Sequence, residues 1–173
     1  MSAAPTAHLN FAGDARAALD FYAAAFGGVA IVRTYAEVGM PAEVPGSDRV
    51  VWGLATGADG FRVMAYDVPP QAGETAPVVG STRRQDFVTI TDQPFFLALE
   101  GATLAECEGY WKALSDGATV VEPLVASDWS AGFGMLTDRF GVMVVALIGA
   151  WEMLRPADER DTGWLRKVSP TWP

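Results

Sequence analysis

His8 is the only histidine and Cys107 the only cysteine among 173 residues, so the side chains that most often hold metals or attack substrates come one of each. A His-rich catalytic or metal constellation would have to be assembled across subunits. An internal disulfide and a Cys-rich zinc site are excluded, and Cys107 reads as a small buried hydrophobe. The remaining chemistry lies on strand-like segments. Period-two alternation puts Arg62, Met64 and Tyr66 on one face of one segment, where they offer a fixed positive charge, a flexible thioether and a phenolic hydroxyl. Met143, Val145 and Leu147 share a face of another. Such faces suit a partly hydrophobic, anionic ligand, although Met, Val and Leu are equally the residues of a plain core. Tyr66, Arg62 and His8 are the candidates for acid–base work, but no nucleophile, base and orienting group stand together in the sequence.

The elements that must position these residues come as a repeat. One helix is predicted from about Asp14 to Phe26, with Asp14 as cap and Gly27-Gly28 as stop. A second begins at the capping box Thr103-Leu104-Ala105-Glu106, buries Leu104, Cys107, Trp111 and Leu114, and ends at Gly117. Adding 89 carries Asp14 to Thr103, Phe21 to Tyr110, Tyr22 to Trp111 and Gly28 to Gly117. The same shift moves the β-branched pair Ile31-Val32 onto Val120-Val121. Each half then closes on a hairpin pattern, Arg49 to Thr56 with Phe61 to Asp67, and Gly132 to Leu136 with Val142 to Ile148. Short strands at about Ala7 to Phe11 and Phe95 to Glu100 precede the helices, so each half reads β-α-β-β-β.

Residues 68–86 are rich in proline and glycine and read as an exposed linker, with Phe87 to Thr91 as a short extra strand. The segment 151–173 contains Trp151, Trp164 and Trp172, too apolar for a solvated tail, and is expected to dock on the body or on a neighbouring subunit. A net charge of −9, with no basic cluster beyond Arg83-Arg84 and Arg166-Lys167, disfavours nucleic acid. No apolar run approaches the roughly 20 residues of a membrane span and the start lacks a signal-peptide pattern, so cytoplasmic residence is expected.

The duplicated module, the opening NFAGDARAALDFYAAAFGG and the closing DWSAGFGMLTDRFGV together resemble the PhnB-like branch of the glyoxalase/bleomycin-resistance/dioxygenase (vicinal oxygen chelate) superfamily. The resemblance implies an α+β fold in which two tandem βαβββ modules, residues 6–67 and 94–149, form a cup-shaped mixed β-sheet with helices packed outside, all within residues 1–150. Some relatives carry a demethylubiquinone methyltransferase label, for which this chain lacks a Gly-rich strand-to-helix turn. In metal-dependent relatives, the resemblance implies, four ligands come from the first and last strands of each module. Counting back from the helix start, those places fall at Ala7, or at His8 after a one-residue slip; at Met64 or Tyr66; at Phe95 or Phe96; and at Val145. Thioether, aromatic and aliphatic groups do not bind Zn²⁺, Fe²⁺, Ni²⁺ or Mn²⁺.

No metal and no cofactor are therefore expected, and the ligand is expected to meet Arg62, Met64, Tyr66, Phe95, Trp129, Met143, Val145 and His8. Trp129, in the loop entering the closing hairpin, reads as a residue of the cup mouth, whereas Trp52, in line with Val50 and Leu54, reads as core. The function these expectations favour is metal-free binding of a small, partly hydrophobic molecule by a homodimer. The alternative is a metal-dependent lyase, isomerase or dioxygenase; a purely structural interaction protein is least favoured.

Overall fold

The computed structural model describes residues 5–69, 80–127 and 130–149, and the chain divides into two compact units, Met1–Val78 and Val79–Pro173. The first contains β1 (His8–Phe11), α1 (Ala15–Ala25), β2 (Val29–Thr34), β3 (Val50–Thr56) and β4 (Arg62–Asp67). Its sheet runs β1-β4-β3-β2, with β1 parallel to β4 and the other pairs antiparallel. In the second unit, a hairpin of β5 (Thr82–Gln85) and β6 (Val88–Thr91) precedes β7 (Leu97–Gly101), α2 (Leu104–Leu114), β8 (Thr119–Ser127), β9 (Ser130–Thr137) and β10 (Met143–Ile148). The second sheet, β7-β10-β9-β8, repeats the first, again with one parallel pair, β7 and β10. The chain is thus α+β, two tandem βαβββ modules. The stretch read as linker ends in β5, whose partner strand β6 falls within the one predicted at Phe87 to Thr91.

Each helix covers one face of its own sheet. In the first module Leu9, Phe11, Ala55, Val63 and Ala65 are buried with Ala15, Ala18, Leu19, Tyr22 and Ala23 of α1. The Ala-rich stripe lets the helix lie close: a Cβ at Gly53 would come within 2.2 Å of Leu19 Cδ1. Gly134 holds the corresponding place in the second sheet, where a Cβ would meet Trp111 Cη2 at 2.9 Å. Leu99, Leu136, Val144, Ala146 and Ile148 supply that core with Cys107 and Leu114 of α2.

The two helices are capped by different means. For α2 the box forms as read: the Glu106 amide donates to Thr103 Oγ1 (3.4 Å), and Glu106 Oε2 accepts from the amides of Thr103 (3.2 Å) and Ala102 (2.8 Å). Asp14 precedes α1 but its side chain makes no capping bond, contrary to the sequence expectation. The acceptor is Asp67, from the end of β4 and 1% exposed. Its Oδ1 takes the amides of Gly13 (2.8 Å) and Ala15 (3.0 Å), and its Oδ2 takes that of Val50 (2.9 Å). A buried carboxylate needs such partners, and three backbone donors supply them.

Trp52 also departs from expectation. The β2–β3 register shifts between Arg33 and Thr34, which breaks the alternation that would have put Trp52 in line with buried Val50. Gly53 and Ala55 face α1 instead, leaving Trp52 39% exposed on the opposite face.

Candidate functional site

The face of each sheet away from its helix carries several of the residues singled out above. In the first module β1 pairs with β4 so that His8 lies opposite Met64 and Asn10 opposite Tyr66. Leu9 and Phe11 point into the core, so His8, and not Ala7, occupies the open face; its ring centroid is 5.2 Å from that of Tyr66. Arg62, Met64 and Tyr66 share this face by alternation with buried Val63, Ala65 and Asp67. Arg62 is exposed at the strand's beginning. Tyr35 donates its hydroxyl to the Asp67 carbonyl at 2.9 Å; burial, then the neighbouring Tyr66 and Asp67, push the Tyr35 phenol up from its ordinary value.

In the second module β9 alternates in the same way. Gly132, Gly134 and Leu136 turn toward α2, and Phe133, Met135 and Thr137 take the open face. Across the ladder Val145 lies opposite Met135, and Leu147 opposite Phe133. On the far side of β10, Ala98 is the partner of Val145. Met143 is fully buried at the start of β10 and lines no described cavity. Phe95 is 49% exposed ahead of β7, and it is Phe96 that reaches the open face. Trp129 lies outside the described residues.

The first strands of the modules stand 90 residues apart, His8 matching Ala98, while the helices stand 89 apart. Three residues separate β1 from α1 and two separate β7 from α2. A strand's side chains change face at every residue; the slip from Ala7 to His8 and this extra residue each add one position, and together they move the place from Phe96, one of the two read from the sequence, to Ala98. The places that the resemblance implies for metal ligands are thus His8 and Met64 in one module, Ala98 and Val145 in the other. One imidazole, one thioether and two aliphatic groups do not make a divalent-metal site. Among the described residues no three His, Cys, Asp or Glu side chains gather as ligands.

The hairpin β5–β6 turns the open face of the second sheet into a cavity. Arg84 and Thr89 pair across the hairpin, and Arg84 Nη1 donates to Thr89 Oγ1 at 2.9 Å. That hydroxyl donates in turn to Met135 Sδ at 3.6 Å, and the Arg84 guanidinium carbon lies 5.1 Å from the centre of the Phe133 ring. A space of about 330 Å³ is bounded by Arg84, Phe87, Thr89, Phe96, Phe133, Met135 and Val145. A second, of about 470 Å³, shares Arg84, Phe87 and Phe133 with it and is further bounded by Asp86, Glu122 and Val125. Arg84 Nε is buried without a hydrogen-bond partner among the described residues; Glu122 Oε2, at 3.6 Å, is beyond hydrogen-bonding distance. Neither Arg84 nor Phe133 stood among the residues read from the sequence as ligand contacts. Alternation in DWSAGFGMLT could have picked out Phe133 with Met135; Arg84 was hidden in the presumed linker.

Comparison with known proteins places this geometry. Residues 7–146 match the Glyoxalase/Bleomycin resistance protein/Dioxygenase superfamily. An uncharacterised protein of Mycobacterium bovis, Mb0911c, is 31% identical over 132 residues, 74% of this chain and 72% of that one. Its counterpart Rv0887c of Mycobacterium tuberculosis shows the same identity and coverage of this chain, over 64% of its own length. Among solved structures, protein PA1353 of Pseudomonas aeruginosa superposes with a TM-score of 0.66 at 26% identity, over 85% of this chain and 98% of that one. A PhnB protein of Bacillus cereus, described as a putative 3-demethylubiquinone-9 3-methyltransferase, superposes at 0.60 and 20% identity, over 84% and 99%; at that identity it speaks for the fold alone.

Proposed function

This chain belongs to the Glyoxalase/Bleomycin resistance protein/Dioxygenase superfamily, and from that premise we propose that it is a metal-free small-molecule-binding protein. The observation that carries the reading is the cavity beneath the β5–β6 hairpin, walled by Phe96, Phe133, Met135 and Val145. A concave, largely apolar space with a few polar groups is the usual form of a ligand site. Val145 links the two halves of the argument, since a residue that would ligate metal in a metal-dependent relative forms an apolar wall here.

Metal-dependent chemistry is the weaker reading because the donor set does not fit: His8 is one imidazole without partners of its kind at Met64, Ala98 and Val145. A tight site normally takes three or four protein ligands on rigid elements. We read the chain as cytoplasmic and as a homodimer. Val29, Ile31 and Trp52, all more than a third exposed on the open face of the first sheet, support self-association. No helix among the described residues is long and apolar enough to cross a membrane.

The test titrates the full chain with a neutral apolar probe, 2-naphthalenemethanol, and follows the backbone amides of Thr89, Phe133 and Met135 by NMR. Saturable shifts at these positions, unchanged by a chelator, are expected. Elemental analysis showing about one transition metal per chain, whose removal abolishes binding, would overturn the assignment.

A further inference from the structure

We infer that the cavity under the hairpin is a carboxylate site, in which Arg84 recognises the anion of a ligand with a flat aromatic body and Phe87 covers it. The inference rests on the small-molecule reading above and names the ligand class. Among the described residues Arg84 is the only charged one bounding the 330 Å³ space, whereas Asp86 and Glu122 bound the 470 Å³ one with it. The guanidinium is fixed by the Thr89 hydroxyl and the Phe133 ring; its Nε has no hydrogen-bond partner among the described residues and stands 3.6 Å from Glu122 Oε2, a loose ion pair that a ligand carboxylate would replace. A rigid planar fork with a vacant N–H matches a carboxylate in two-point fashion, and holding it in place beforehand favours binding. Around it stand the rings of Phe96 and Phe133 with Met135 and Val145, surfaces that stack on or slide along another flat ring.

Phe87 points the same way. It forms the hairpin tip with Asp86, and both have positive φ, 66° and 49°. Two consecutive positive φ values define the tight turn for which Asn and Gly are the usual residues. A bulky aromatic residue there is conformationally disfavoured, and Phe87 as a whole is 95% exposed while bounding both spaces. Strain together with an uncovered ring is accounted for if the ring's partner is the ligand.

The test compares 2-naphthoate with neutral 2-naphthalenemethanol by calorimetry on the full chain at physiological ionic strength. The carboxylate is expected to bind at least about tenfold more tightly. Arg84→Gln should abolish that preference while keeping affinity for the alcohol. Glu122→Gln, which removes the competing carboxylate, should tighten naphthoate. Phe87→Gly should raise the melting temperature and weaken both probes by several fold, a combination that a purely structural role does not give. A naphthoate affinity no greater than that of the alcohol, or a preference that survives Arg84→Gln, overturns the carboxylate assignment. Unchanged probe affinity in Phe87→Gly overturns the cover. If Arg84→Gln fails to fold, Glu122→Gln decides: tighter naphthoate supports the site, equal or weaker overturns it. Failure of both probes to shift Phe133 and Met135 removes instead the binding reading beneath.

Discussion

The carboxylate of Asp67 accepts the amide of Gly13 at 2.8 Å across 54 residues of chain, and the same group takes the amides of Ala15 and Val50. Helix start, third strand and fourth strand of the first module are joined at one side chain. Asp67→Ala should therefore cost about 3 kcal/mol or more, because three buried donors lose their acceptor. Asp67→Asn should cost about 2 kcal/mol, since its one amide oxygen can accept on the Val50 side or on the Gly13 side but not both, and its NH₂ accepts from neither. Asp14→Ala, which removes no capping bond, should stay within about 0.5 kcal/mol. Urea unfolding measures all three, and equal losses for Asp14→Ala and Asp67→Ala would refute this account.

The cap of α2 is local and should behave locally. Thr103→Ala should lose about 1 kcal/mol, and Glu106→Ala a comparable amount. Each bond of the box presupposes the same turn, so the double variant should lose less than the sum of the two. A strictly additive double-mutant cycle would mean that the reciprocal bonds do not form in solution.

Cys107 is 1% exposed, and burial, with Glu106 adding to it, pushes its thiol up from the ordinary value. The native state then keeps a proton that the unfolded chain gives up above about pH 8.5. The stability this represents is fully present below that pH and declines as pH rises through the native value. Between pH 7 and pH 9.5 the parent should lose more stability than Cys107→Ala does. A maleimide at pH 7 should label the native protein far more slowly than the urea-unfolded one.

Self-association is checked by light scattering. A mass of twice the 18.4 kDa chain is expected, and deletion of residues 151–173 should weaken the dimer. A monomer mass independent of concentration would sink the idea.

What the sequence made legible was local. The capping box at Thr103, the stops at Gly27 and Gly117 and the strand alternation around Met64 and Val145 each depend on residues a few positions apart, so their pattern survives without the fold. The cap from Asp67 was not legible, because its partners lie 17 to 54 residues away. Nor was the facing of Trp52, which turns on an irregularity in the β2–β3 register, or the matching of His8 with Ala98, which turns on one residue before α1. The hairpin carrying Arg84 was missed because its turn is Asp86-Phe87, without the Asn or Gly that marks a two-residue turn. Asp138 closes the turn between β9 and β10 in a way no short pattern marks: it is 4% exposed and accepts the amides of Phe140 and Val142, both at 2.9 Å.

The different origins of the two caps bear on the order in which the chain is synthesised. Domains generally fold from the N-terminus as they leave the ribosome, yet α1, the first helix out, depends on an acceptor made more than fifty residues later. Until Asp67 emerges, the amides of Gly13 and Ala15 have only water, and a helix of 11 residues is marginal on its own. Helix α2 meets no such delay, because Thr103 and Glu106 leave the tunnel within four residues of each other. The later module is thus the one equipped to begin folding from its own local sequence, while the earlier one must wait for its last strand.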